Sequence, residues 1–117
     1  MKKTFFIITF VPIFIFNSII SVFAFEIYGY WKSNEEYPLN IIAFDDSNYY
    51  YGKYSQQAKF SNQDNVILVQ FTKFSTLRVV EVSDDTIKVT FPDPSLPKDI
   101  IYKRINENEA KKILAEY

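Results

Sequence analysis

Residues 66–91 read VILVQFTKFSTLRVVEVSDDTIKVTF, and their alternation decides the fold. Ile67, Val69 and Phe71 fall on one side of an extended chain, and Val66, Leu68 and Gln70 on the other. Thr76–Val82 repeats the pattern, with Leu77, Val79 and Glu81 opposite Arg78, Val80 and Val82. Ser83-Asp84-Asp85 is a tight turn, because short polar side chains bond to their own backbone there. Thr86–Phe91 then sets Ile87, Val89 and Phe91 against Lys88 and Thr90. A period of two with one apolar side marks an antiparallel sheet with one dry face.

Working outward, strand signals continue in both directions. Toward the N-terminus, strands are predicted over Glu26–Lys32, Leu39–Phe44, Tyr49–Tyr54 and, briefly, Gln56–Ser61. Ser33–Pro38 is a polar loop, Asp45-Asp46-Ser47-Asn48 a turn, and Ser61–Asn65 another turn. Toward the C-terminus, Pro92–Pro97 carries three prolines. Proline has no N–H to give a ladder, so this segment is a connection. Ile100–Ile105 is the last strand. Asn106 followed by Glu109 resembles a capping box, and Ala110, Ile113, Leu114 and Tyr117 recur at helical spacing. The sum is a mainly β domain: a small antiparallel up-and-down meander of about seven or eight strands. It is curled or closed into a barrel to protect its edges, and a short C-terminal amphipathic helix packs outside the sheet or across one end.

The first 24 residues differ from the rest. Lys2 and Lys3 precede an apolar run from Phe5 to Val22, and Val22-Phe23-Ala24 offers small residues at the positions a signal peptidase inspects. The sequence therefore predicts an export signal over residues 1–24 and one mature domain over 25–117, with a periplasmic or secreted location. With no cysteine beside the cut there is no lipobox. Pro12, Asn17 and Ser18 interrupt the run and disfavour a permanent span. No stable membrane insertion is expected after cleavage.

Composition narrows the function. Without Lys2 and Lys3, 11 basic side chains stand against 14 acidic ones, so nothing draws the domain to nucleic acid, which needs a basic surface. The chain has no histidine and no cysteine. That removes the commonest metal ligands, thiol nucleophiles and the usual general base near neutral pH. No phosphate-binding loop, dinucleotide fingerprint or nucleophile motif occurs. Neither an enzyme nor a cofactor or metal is expected. Asp45-Asp46 and Asp84-Asp85 read as turn residues.

Aromatic residues are abundant. The expected mature part holds nine tyrosines, six phenylalanines and Trp31, enough to build a core, since each buried ring removes about 150–250 Å² from water. Tyr49-Tyr50-Tyr51 with Tyr54 is the most unusual cluster. Alternation puts Tyr49 and Tyr51 on one face and Tyr50 and Tyr54 on the other, so one pair is expected outward. Tyr28 and Tyr30, and Tyr37 beyond them, would extend the patch if their strands are neighbours. Exposed tyrosines give rigid amphipathic contact area suited to protein interfaces. Tyr28, Tyr30, Tyr49, Tyr50, Tyr51 and Tyr54 are therefore the candidate partner-binding residues.

At Gly29-Tyr30-Trp31 the chain resembles the lipocalin and lipocalin-like barrels, whose first strand begins with a Gly-x-Trp signature. That family places an arginine late in the barrel against the tryptophan. Arg104, in Tyr102-Lys103-Arg104-Ile105, lies where such an arginine would fall. The resemblance implies a structural role for Trp31 and Arg104, joined by a cation–π contact at one barrel end. The chain is shorter than a typical lipocalin and lacks the family's disulfide cysteines and further motifs.

Two expectations follow. The first is an exported, non-catalytic binding protein with a protein partner, of the inhibitor or immunity type in a bacterial envelope. The second is a lipocalin-like carrier of a small apolar ligand, which requires a hollow interior.

Overall fold

In the computed structural model, residues 25–117 are described. The expected signal and its cleavage site lie outside them. Nine strands appear in chain order: β1 (Gly29–Lys32), β2 (Ile41–Phe44), β3 (Asn48–Tyr51), β4 (Tyr54–Gln57), β5 (Lys59–Gln63), β6 (Val66–Thr72), β7 (Ser75–Ser83), β8 (Thr86–Thr90) and β9 (Ile100–Ile105). One helix, α1 (Glu107–Leu114), follows.

The strands form one antiparallel sheet in the order β4-β3-β2-β1-β9-β8-β7-β6-β5. This is a meander whose first strand pairs with its last. Tyr30 faces Ile105, Trp31 faces Arg104 and Lys32 faces Lys103. The wall is thus nearly closed, and its break falls between β4 and β5. Those two strands are consecutive, separated by Ala58 alone. The Ala58 N–H donates to the Ser47 carbonyl at 2.9 Å, which holds the corner against the β2–β3 turn. One bent stretch therefore pairs with β3 by its first half and with β6 by its second. Counted as one strand, it gives the eight that were expected; counted by its hydrogen bonds, nine.

The alternation places the core as expected. Ile67, Val69, Leu77, Val79, Ile87 and Val89 are fully buried and meet Ile27, Trp31, Ile42, Phe44 and Tyr102 in one cluster. Each such side chain contributes about 1.5–3 kcal/mol relative to exposure. Ile41 and Ala43, on the opposite side of β2, are also buried. Helix α1 packs near β1 with Ala110 buried, and Leu114 reaches the outer face of β2. The Asn106 side chain accepts from the Glu109 N–H at 2.8 Å, so the helix starts where its cap was expected.

Two expectations need correction. The third strand does not run through Tyr54. Gly52 adopts φ +61°, and with Lys53 it turns the chain back, as two-residue hairpin loops with a glycine at the first position do. Tyr51 and Tyr54 thereby become direct cross-strand partners on one face. The expected first strand, Glu26–Lys32, is shortened to Gly29–Lys32. Gly29 sits at φ +120°, where a side chain is strained, and this breaks the alternation before it.

Candidate functional site

The six candidate tyrosines separate into three places. Tyr49 and Tyr51 point into the barrel, their rings stacked at 5.1 Å. Tyr49 also meets Phe44 at 5.6 Å and Phe71 at 5.2 Å, and it is only 3% exposed. The middle of the interior is therefore occupied by rings. Burial pushes the Tyr49 hydroxyl far above the ordinary tyrosine range, with smaller contributions from Tyr102 and Tyr51. A ring so enclosed cannot touch a partner, and this removes Tyr49 from the expected patch.

Tyr28 also turns inward, contrary to its expected place beside Tyr30. It packs edge-to-face on Phe60 at 5.9 Å and against the core cluster, because the backbone at Gly29 re-aims the chain. Tyr54 joins Tyr51 at 5.6 Å and Tyr37 at 6.4 Å, rather than Tyr50. Tyr37 stacks in turn on Tyr117 at 4.3 Å. These rings clasp the β3–β4 hairpin to the C-terminal segment. The Lys53 ammonium donates to the Tyr117 carbonyl at 2.7 Å across the same junction.

Tyr30 and Tyr50 are the pair left on the outer wall. Tyr30 faces Ala43, Ala43 faces Tyr50, and Tyr50 faces Ser55. Register partners share a face, so these four side chains form a row across β1 to β4. Ala43 is the small member between two rings, and the row becomes a groove of about 470 Å³. Its floor includes Ile41, and helix α1 overhangs it with Lys111 and Leu114. Asp45 and Lys53 also line it. The Asp45 carboxylate accepts from the Tyr50 hydroxyl at 2.6 Å, the Ser47 N–H at 2.9 Å and the Asn48 N–H at 2.8 Å. Those bonds, the Tyr50 hydroxyl first, hold its pKa below the ordinary carboxylate value. Asp45 is a turn anchor that also fixes the Tyr50 ring.

Trp31 and Arg104 meet as the resemblance implied. The guanidinium lies over the indole at 4.2 Å. It donates to the Tyr28 carbonyl at 2.8 Å and the Glu26 carbonyl at 2.6 Å, while the indole N–H donates to the Ile27 carbonyl at 2.9 Å. A Cβ on Gly29 would come within 3.0 Å of Arg104 Nη1, so the glycine makes room for the arginine. The ring contact and the three hydrogen bonds tie the segment before β1 across that end of the wall.

A second groove, of about 610 Å³, opens at the β4–β5 corner among polar side chains such as Gln57, Lys59, Gln70 and Lys73. Among the described residues no group of three or more His, Cys, Asp or Glu could hold a metal ion. No helix of the described residues is long and apolar enough to cross a membrane.

Sequence reasoning missed Ala43, Lys53, Ser55, Lys111 and Leu114 as groove residues. Gly52 was the available signal. A glycine inside a strand pattern marks a turn or bulge, and placing the hairpin there brings Ser55 opposite Tyr50.

The chain is thus a small, nearly closed antiparallel β-barrel with a core of aliphatic side chains and aromatic rings and an outer-wall groove beneath a terminal helix. No protein-family model matches it, and comparisons with curated proteins and with solved structures give no match.

Proposed function

We propose that this is an exported protein that acts by binding another protein and catalyses no reaction, as an inhibitor or immunity-type protein of a bacterial envelope would. The observation that carries this reading is the Tyr30–Ala43–Tyr50 groove. Its tyrosines are held from behind by the sheet and, for Tyr50, by Asp45. Pre-set aromatic side chains lower the entropy cost of association and are favoured interface anchors. The absence of histidine and cysteine supports a binding rather than a chemical role. The test is affinity capture from envelope extract with the wild-type protein and with Ser55→Trp. Ser55 is exposed and lines the groove, so the indole plugs it without entering the core. A stoichiometric partner recovered by the wild type and lost with Ser55→Trp supports the reading; equal recovery by both refutes the groove as the interface.

The second reading, a lipocalin-like carrier, is favoured by the Trp31–Arg104 contact at the barrel end. It is the weaker of the two, because the rings of Phe44, Tyr49 and Phe71 fill the space a ligand would need.

A further inference from the structure

The groove carries more than an aromatic slot, because its charges are unequally available. Asp45 lines it, but both carboxylate oxygens already accept hydrogen bonds, from two backbone N–H groups and the Tyr50 hydroxyl. That charge is spent on the turn. Lys53 and Lys111 also line the groove, and both are exposed. Lys111 pairs with Glu107 at 2.9 Å, one turn back on the helix, and both side chains are more than half exposed. An exposed pair of that kind is weak and screened, so it yields to a better-placed carboxylate. The Lys53 ammonium uses one bond, to the Tyr117 carbonyl, of the three it can donate. Of the charged side chains that line the groove, two are exposed ammoniums and the one carboxylate is already hydrogen-bonded, on a chain whose described part has more acidic than basic residues.

The slot itself selects an apolar group. Ala43 is 6% and Ile41 2% exposed, so the floor is apolar and largely covered, and Tyr30 and Tyr50 flank Ala43 in the row. An aromatic or branched side chain entering there loses water on both faces.

Resting on the protein-binding reading above, we propose that the groove takes an acidic segment of the partner protein. An apolar side chain seats between Tyr30 and Tyr50, and an adjacent carboxylate is reached by Lys53 and Lys111. Complementary rim charge selects among partners and speeds encounter, and a basic segment meets two ammoniums among the lining residues.

The test uses the full chain, expressed with residues 1–24 in a bacterial host and purified in the form in which it accumulates, labelled with nitrogen-15. Three probes are titrated by two-dimensional NMR: a blocked Ser-Asp-Phe-Asp-Ser peptide, its Ser-Lys-Phe-Lys-Ser counterpart, and decanoate. The expected result is that the acidic peptide shifts the amides of Tyr30, Ala43 and Tyr50 and binds at least tenfold tighter than the basic one. The exposed double variant Lys53→Glu/Lys111→Glu is expected to reverse that preference while keeping the β circular dichroism of the folded chain, with a modestly lower melting temperature because the bond to Tyr117 and the pair with Glu107 are lost. Equal or tighter binding of the basic peptide, or an unreversed preference in a folded double variant, overturns the charge assignment and leaves the protein-binding reading standing. Decanoate binding that shifts the amides of the interior residues Phe44, Tyr49 and Phe71 overturns the protein-binding reading itself, in favour of a carrier. If no probe moves those amides at millimolar concentration, the proposal fails, and the capture experiment with Ser55→Trp still decides the parent reading on its own.

Discussion

Replacing Arg104 by alanine tests whether the barrel end is held by one side chain. The guanidinium makes three interactions that alanine cannot. Its contact with the Trp31 ring at 4.2 Å is worth about 1 kcal/mol, within the ordinary cation–π range. The partly buried bond to the Tyr28 carbonyl contributes about 1.5 kcal/mol as a charge-assisted hydrogen bond. The exposed bond to the Glu26 carbonyl is discounted for solvent to about 1 kcal/mol. The sum is roughly 3.5 kcal/mol. A domain of about 93 residues has an unfolding entropy near 0.2 kcal/mol/K, so the melting temperature falls by roughly 15–20 °C. Arg104→Lys keeps the charge but cannot stack while making two forked bonds, and is expected to lose about 2 kcal/mol. Urea unfolding followed by the fluorescence of Trp31, the sole tryptophan, measures both. A double-mutant cycle of Arg104→Met and Trp31→Leu, followed by circular dichroism, isolates the ring contact at about 1 kcal/mol. A cost below about 1 kcal/mol for Arg104→Ala, or a coupling near zero, would refute the reasoning that this pair fastens the wall.

Three further outcomes are expected. Burial raises the hydroxyl pKa of Tyr49 and Tyr102. The native state therefore keeps both protonated where the unfolded chain ionises. The stability they carry is full below the ordinary tyrosine value of 10.0 and is lost as pH rises above it. Absorbance at 295 nm should show that at least two of the nine tyrosines ionise only as the β circular dichroism disappears; all nine ionising with that signal intact contradicts the burial. Gly52→Ala places a Cβ 2.7 Å from Tyr37 Cε2 and 2.8 Å from Pro38 Cβ at φ +61°, and should destabilise by about 2–3 kcal/mol from backbone strain and crowding, whereas the neighbouring Lys53→Ala changes thermal stability little. Asn106→Ala removes the cap of α1 and should cost about 1 kcal/mol, seen as faster hydrogen exchange at the Ala110 amide, whose donation to the Asn106 carbonyl opens the helix.

How much of this was legible depended on how local the signal was. The alternation of Val66–Thr90, the Asp45 and Asp84 turns, the Asn106 cap and the last strand Ile100–Ile105 all came through. Each is set by interactions within a few residues, or by a period of two that any one-sided sheet imposes. The expected turn Ser61–Asn65 shrank to Asp64-Asn65, because Ser61, Asn62 and Gln63 pair with β6, and the misplaced tyrosines trace to the two glycines. Gly52 and Gly29 adopt positive φ, a choice that leaves little trace in the flanking pattern. Moving the hairpin by two residues put Tyr54 beside Tyr51 instead of Tyr50, and the positive φ at Gly29 turned Tyr28 onto Phe60.

By itself, then, the chain's order of apolar and polar residues settled that the domain is an antiparallel meander with a capped terminal helix, because burying one face of each strand is a local demand repeated along the sequence. Which tyrosines ended inside and which outside was settled only by tertiary structure. The pairing of β1 with β9 closed the wall, and the Tyr30–Ala43–Tyr50–Ser55 row exists only once four strands lie in register. Register joins residues far apart in sequence, and the groove floor, its walls and the two lysines above it come from segments that no single stretch of sequence brings together.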